Sequence, residues 1–232
     1  MKTIKLTPTN LDLSNTGYKP KPSVRLIPPW FKNLARHLEG KLGSDGKGNM
    51  AQSVKACSPF LDSLSMGYLI TLESDVLVKK TEDGHSFEWA VGGDLMGIHG
   101  ANQLAKEQVP TGYDKQAYKF NNHYSINTPI GYSVLITHPL NRTDLPFITL
   151  SAVVDTDGYE LPINFPFLLK SNFEGILEAG TPIAQVIPIK REPWSILIAA
   201  FDGELMNRSF SKVKHKLMNG YKSQFWHRKD YK

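Results

Sequence analysis

Asp155 and Asp157 form the most chemical-looking pair in the chain, two residues apart in Val153-Val154-Asp155-Thr156-Asp157. Alternate side chains of a strand share a face, so carboxylates at this spacing can converge on a metal ion or activate a water. The competing reading is a strand running into the Asp157-Gly158 turn, where aspartate bonds to local backbone, and spacing alone favours it. The other conspicuous stretch is Gly180-Thr181-Pro182-Ile183-Ala184-Gln185. Neither completes a catalytic constellation.

The remaining reactive side chains point the same way. Histidines stand at 37, 85, 99, 123, 138, 215 and 227, with no metal-binding spacing such as His-Glu-x-x-His. His99, His123 and His138 would form a cluster with Asp94 only if the fold gathered them; each reads better as a structural or surface histidine. Ser133 and Ser151 lie in apolar strand settings and not in a Gly-x-Ser-x-Gly elbow, which argues against a serine hydrolase. Cys57 is the single cysteine, so intrachain disulfides and cysteine metal clusters are excluded. Its setting, Ala56-Cys57-Ser58-Pro59-Phe60, reads as packing beside a turn. The glycines of Gly43-Ser44-Asp45-Gly46-Lys47-Gly48 lack the Walker A order and its Lys-Ser/Thr ending, so this loop is no phosphate cradle.

The elements that must position these groups are mostly strands. From Ser125 to Arg191 apolar β-type runs alternate with Pro, Gly, Asn and Asp, the pattern of an antiparallel β-domain. Strands are expected at 131–137, 147–154, 159–167 and 183–189, with Pro162, Pro166 and Pro188 at edges or bulges because proline cannot donate to a ladder. Residues 66–78 also read as strand. Thr81-Glu82-Asp83-Gly84 is a turn, and 86–91 the returning arm of a hairpin. Residues 92–124 read as a long irregular loop. After Pro193, Trp194–Ala200 is either a last strand or the start of a buried helix.

The two ends differ from this body. Residues 1–29, with Pro8, Pro20, Pro22, Pro28 and Pro29, look like an extended arm. Trp30, Phe31, Leu34 and Leu38 then suit a short amphipathic helix entered through proline. Met206, Phe210, Val213, Leu217 and Tyr221 step along one face of a C-terminal amphipathic helix that Gly220 ends or kinks. Three segments result: an arm over 1–29, a mainly-β domain over 30–202, and a basic helix and tail over 203–232.

The 232 residues carry a net charge of +5, unevenly spread. Residues 203–232 hold eight Lys or Arg against Glu204 and Asp230, a balance of +6 that leaves the rest near −1. The basic pI therefore describes the tail and speaks against nucleic-acid binding by the whole domain. In the tail, Tyr221, Phe225, Trp226 and Tyr231 interleave with Lys222, His227, Arg228, Lys229 and Lys232. Such a mixture can stack bases and bind phosphates, anchor on a partner subunit, or stay solvated. No apolar run approaches the ~18 to 20 residues of a membrane span, and Met1–Leu6 lacks a signal-peptide core. A soluble, intracellular protein is expected.

Two resemblances extend this reading. Val154-Asp155-Thr156-Asp157-Gly158-Tyr159, Phe173, Gly175-Ile176 and Gly180–Val186 together resemble the trimeric dUTPase and dCTP deaminase superfamily. That resemblance implies a β-clip-like core, with Asp155 orienting the attacking water, Tyr159 packing on the deoxyribose and Gln185 contacting base or backbone. It also implies Mg²⁺ to neutralise phosphates. The sequence departs from the superfamily at Gly158, an added residue, and at Thr128–Ser133, where Pro-Arg-Ser-Gly is expected; the Gly-rich C-terminal lid is replaced by a basic aromatic helix.

A broader set of pieces resembles a family of uncharacterised tailed-phage proteins. These are Pro28–Lys32, Lys55–Phe60 with Gly67-Tyr68, Thr128–Ser133, His138–Asn141, Val154–Asp157, Pro162–Phe167 and Gly180–Gln185. That family brings no established activity and implies a phage origin, in the virion or the host cytoplasm. The combined expectation is a mainly β, antiparallel fold, β-clip-like or a distorted sandwich. It would serve as a non-enzymatic virion or assembly component without a cofactor, forming a homo-oligomer and meeting other phage structural proteins. Trp30, Phe31, Phe225 and Trp226 would sit at interfaces, and the basic tail would be the route to any nucleic acid. The alternative is a dUTPase-like nucleotide hydrolase or nucleotide-binding sensor.

Overall fold

The computed structural model describes residues 2–9, 18–42, 50–99, 104–105, 109–214 and 220–232. The expected loop at 43–48, His215 and Leu217 lie outside them. In chain order the first strands are β1 (Lys5–Pro8), β2 (Lys21–Pro22), β3 (His37–Leu42), β4 (Met50–Gln52), β5 (Tyr68–Thr71), β6 (Val76–Thr81), β7 (Gly84–Trp89) and β8 (Met96–His99). They continue as β9 (Ala117–Phe120), β10 (Tyr124–Asn127), β11 (Tyr132–Thr137), β12 (Phe147–Thr149), β13 (Ala152–Val154), β14 (Phe165–Leu169), β15 (Gly175–Leu177) and β16 (Pro182–Lys190). The helices are α1 (Pro29–Asn33), α2 (Ser58–Ser65), α3 (Gly203–Lys214) and α4 (Gly220–Gln224). Two compact units result: Met1–Leu26 with Gly67–Arg191, and Ile27–Met66 with Glu192–Lys232.

Apart from a 3-10 turn at Ser23–Leu26, the regular elements described in the first unit are strands. Its sheets run β13-β11-β16-β5-β2, β12-β14-β9-β8 and β15-β6-β7, with β1 paired to β10. Every pairing is antiparallel. β16 is a nearly continuous apolar run because it sits inside its sheet with Pro182–Ile187 buried. Between the sheets Phe120 and Phe167 stack with ring centres 3.9 Å apart, and Phe147 meets Phe120 edge-on at 5.0 Å. Ile70, Val76, Val78, Ile126, Val134 and Leu169 fill the space around them. The fold class is the mainly β, antiparallel one expected.

Local rules account for the turns. β6 and β7 close over Glu82-Asp83 with Thr81 opposite Gly84, the expected hairpin. Pro188 stands opposite Val134 on β11, beyond the point where the β5 ladder stops at Val186 and Tyr68, so its missing N–H breaks no rung. Pro166 similarly lies one residue past the end of the β12 ladder at Phe167. Gly67 enters β5 at φ +68°, and a Cβ there would fall 2.3 Å from the Val186 carbonyl oxygen. Only glycine meets both demands.

Elsewhere the structure corrects the expectations. The run 147–154 is two strands in two sheets; the chain changes sheet at Leu150-Ser151, and the Leu150 N–H donates to the Pro166 carbonyl at 2.8 Å. Only Phe165–Phe167 of the expected 159–167 strand is regular, because Pro162 interrupts it and touches only Ser125 through an isolated bridge. Residues 92–124 contain β8 and β9, whose Ala117, Tyr118 and Phe120 are core residues. Four-residue strands are too short to show a period. Within 1–29, β1 and β2 add to this unit's own sheets. Trp194–Ala200 is neither strand nor buried helix; it is irregular and exposed.

The second unit has its own small core. Phe31 packs with Ile27, Leu64 and Phe60, its ring stacked 5.8 Å from Phe60. α1 ends at Asn33, four residues before β3, and Lys55 Nζ donates to the Phe31 and Lys32 carbonyls at 2.7 and 2.6 Å, closing the helix end. The expected helix to residue 38 is thereby cut short, and β3 pairs with β4.

Candidate functional site

The paired aspartates meet an arginine that spacing could not show. β13 pairs with β11, and β11 with β16, so the turn after β13 and the end of β16 both reach the start of β11. There Arg191 Nη1 donates to Asp155 Oδ1 at 3.2 Å, Asp157 Oδ1 at 3.1 Å, Ser133 Oγ at 3.0 Å and the Tyr132 carbonyl at 3.1 Å. Its Nη2 donates to Asp157 Oδ2. Ser133 Oγ donates to Asp155 Oδ1 at 2.6 Å, and the Gly131 N–H to Asp157 Oδ2 at 2.9 Å. Hydrogen bonding from Arg191, then from Gly131, holds the Asp157 carboxyl below the usual carboxylate range. The same partnership pushes the Arg191 guanidinium further up.

This arrangement is a clamp. The guanidinium occupies the place between the carboxylates where a cation would have to sit, so the residues do not fit Mg²⁺. Asp155 keeps one open side, with 72% of its side chain exposed. Tyr159 is exposed in the irregular stretch after the clamp. Gln185 is 1% exposed, and its Oε1 accepts the Leu140 N–H at 2.8 Å. Its register partner is Thr137, whereas Asp155 bonds Ser133. Four residues of β11 separate those points, about 13 Å at ~3.3 Å per residue. The three residues of the nucleotide reading are therefore not gathered into one site.

Two polar clusters went unread in the sequence. His85 on β7 places Nδ1 2.6 Å from Asp114 Oδ2 and Nε2 2.7 Å from the Phe173 carbonyl. Tyr118 donates to the same carboxylate at 2.8 Å and accepts the His85 backbone N–H at 2.9 Å. Both ring nitrogens of His85 face acceptors, so the ring ties Asp114 and the Phe173 carbonyl together. Burial first, and then the bond to Asp114, pushes the Tyr118 hydroxyl far up, keeping it a donor. The second cluster is buried Glu73 with His123 at 3.5 Å, and Tyr124, whose hydroxyl is pushed up by burial and then by Glu73. The partners lie 29 and 50 residues apart, and no local signal connects them.

The other expected sites are dispersed. His138 is a structural histidine: Nδ1 accepts the Thr149 N–H at 3.3 Å and Nε2 faces the Arg142 carbonyl at 3.0 Å. Among the described residues no group of three or more His, Cys, Asp or Glu is placed to hold a metal. Cys57 is exposed, not packed; it stands at the start of α2 beside an open cleft of ≈ 310 Å³ that Tyr221 and Lys222 also line.

Of the expected interface aromatics, Phe31 is interior at 3% exposed, which withdraws it from the surface, and Trp30 packs edge-on against it. Trp226 is committed within its own unit: the indole N–H donates to Asp62 Oδ2 at 2.9 Å, beside Lys229 Nζ at 2.6 Å. Lys222 and Lys229 cover the ring at 5.7 and 5.6 Å. Phe225 is exposed.

A run of exposed apolar side chains follows Pro193. Trp194, Ile196, Leu197, Ile198 and Phe201 are 87–89% exposed, close to their values in an extended peptide. α3 continues the feature, with Leu205, Met206 and Phe210 also exposed. No helix among the described residues is long and apolar enough to cross a membrane.

What fold and site together define is a mainly-β, antiparallel protein with a clamped carboxylate pair and an uncovered apolar arm. No protein-family model matches the chain, and no curated protein does. The likeness to the uncharacterised phage family thus remains one of short motifs. Among solved structures the chain is similar to a mutant dUTPase from phage phi11 of S. aureus, described as coordinating a structural Mg(II) ion. The identity is 11% and the TM-score 0.32, over 60% of this chain and 86% of that one. A TM-score so low does not establish a shared fold.

Proposed function

We propose that the protein is a non-enzymatic phage component that works as an oligomer through protein–protein contacts, in the virion or its assembly. The observation that carries this reading is the run Trp194–Phe201, whose five large apolar side chains are 87–89% exposed. Apolar surface this continuous is costly in water and marks a contact site. The clamp supports the same reading, because Arg191 already neutralises the carboxylates that a hydrolase would use. Other phage structural proteins are the natural further partners.

Light scattering coupled to size exclusion tests the proposal across a concentration series. An oligomer whose mass falls when Ile196→Asp and Ile198→Asp are introduced together is the expected result. A monomer at every concentration overturns the proposal.

A further inference from the structure

We infer that residues 194–201 of one copy add as a strand to the open edge of β13 in a second copy, with α3 laid toward that copy's acidic turn. This rests on the protein-contact reading above.

The donor has the properties of a strand without a sheet. Trp194, Ile196 and Ile198 fall on one face of an extended chain, and Leu197, Ala199 and Phe201 on the other. A strand apolar on both faces needs cover on both, which a single surface or a solvated linker does not supply. Trp194–Phe201 is irregular, and no hydrogen bond to its backbone is found among the described residues. It also contains no proline, so each residue can donate to a ladder.

The acceptor is on the same molecule. β13 pairs with β11, and its other side is unpaired among the described residues. On β13 Val153 is 60% exposed, and the stretch that follows the strand exposes Tyr159 at 42% and Leu161 at 63%; Ile130 is 91% exposed. Ile130 belongs to this patch because its neighbour Gly131 donates to Asp157. Among the described residues the other unpaired edges with an exposed large apolar residue are β8, with Ile98, and β15, with Ile176, so what sets β13 apart is the apolar stretch that follows it. Unpaired edges are templates for strand addition, and pockets for alternate side chains set the choice between them.

Charge selects the same edge. Residues 152–161 hold Asp155, Asp157 and Glu160 and no Lys or Arg, which leaves −2 once Arg191 is set against the three carboxylates, while α3 holds Arg208, Lys212 and Lys214 against Glu204. A basic helix that follows the strand meets an acidic turn that follows the edge. Each copy carries both donor and acceptor, so exchange closes into a symmetric pair or ring.

Cross-linking in the full chain tests this. In a Cys57→Ser background, Val153→Cys is mixed under mild oxidation with Ile196→Cys or Ile198→Cys, each purified separately, and Ile176→Cys serves as the control edge. A disulfide-linked dimer should form between Val153→Cys and at least one arm cysteine, several-fold faster than with the control. All substituted positions are exposed, and circular dichroism checks that each variant is folded. An oligomer that gives no such link, or links faster to the control, overturns the β13 docking and leaves the contact reading standing. A monomer overturns both.

Discussion

Replacing His85 by leucine should cost the first unit more than any comparable surface change. The imidazole is fully buried and Asp114 only 10% exposed, and together with Tyr118 and the Phe173 carbonyl they fasten β7 to the segment before β9 and to the approach to β15. In His85→Leu the carboxylate keeps a single donor, the Tyr118 hydroxyl, and the Phe173 carbonyl loses its own. Breaking one side of a buried pair typically costs about 3–5 kcal/mol. Asp114→Leu should cost a similar amount, because it leaves the buried His85 ring and the Tyr118 hydroxyl without their shared acceptor.

Removing both side chains together leaves two weaker losses, the Phe173 carbonyl without a donor and the Tyr118 hydroxyl without an acceptor, about 1–2 kcal/mol each. The double variant should therefore lose about 2–4 kcal/mol where additivity asks for about 6–10 kcal/mol. At ~2–4 °C per kcal/mol for a protein of this size, His85→Leu lowers Tm by about 6–20 °C. Urea and thermal unfolding of the four full-length proteins measure the cycle. Additive losses, or a His85→Leu cost below about 1 kcal/mol, would refute the pairing deduced from the two acceptors around the ring.

Four further outcomes follow from other sites. Gly67→Ala should lose more than about 1 kcal/mol, since it combines a positive φ with a Cβ 2.3 Å from the Val186 oxygen; an unchanged urea midpoint would sink that argument. Burial lowers the His138 pKa below its ordinary 6.5, so its contribution is complete above 6.5 and is lost as pH falls through the lower, folded value. Stability measured between pH 7 and 4.5 should fall less steeply in His138→Asn, and parallel curves would show the reasoning wrong. Arg191 depresses the Asp157 pKa, so this contribution is present above the usual carboxylate range and disappears as pH drops through the folded value. Arg191→Met should flatten that acid limb, while Asp155→Asn should leave deoxynucleotide hydrolysis at background; turnover that falls with Asp155→Asn would restore the hydrolase alternative.

How much of this was legible depends on the range of the interaction. The Glu82-Asp83 hairpin and the apolar face of α3 are written within a few residues, and reading them needs only turn chemistry and the helical period. β8 and β9 escape because four residues cannot establish a period, although Tyr118 and Phe120 are among the most buried side chains. The split of 147–154 into β12 and β13 is invisible because both halves are β-prone and only the partner sheets differ. The aspartate pair was visible, but its meaning was set by Arg191, 34 and 36 residues downstream. A carboxylate pair looks catalytic until its counter-charge is located.

Trp194–Phe201 sharpens the point, because the sequence there reads as a strand or a buried helix and the structure leaves it irregular and exposed. An uninterrupted apolar run argues for a covered strand or helix, and Trp-Ser-Ile-Leu-Ile-Ala-Ala-Phe has the composition of either. Composition describes the environment a segment requires and does not say which chain provides it. Within one copy the requirement is unmet, with Ile196 and Leu197 at 88% and 89% exposed. The same copy carries an unmet edge at β13, ringed by apolar side chains and acidic residues. Under the proposed docking, a second copy would meet both deficits, and their energetic cost in the isolated chain would drive association.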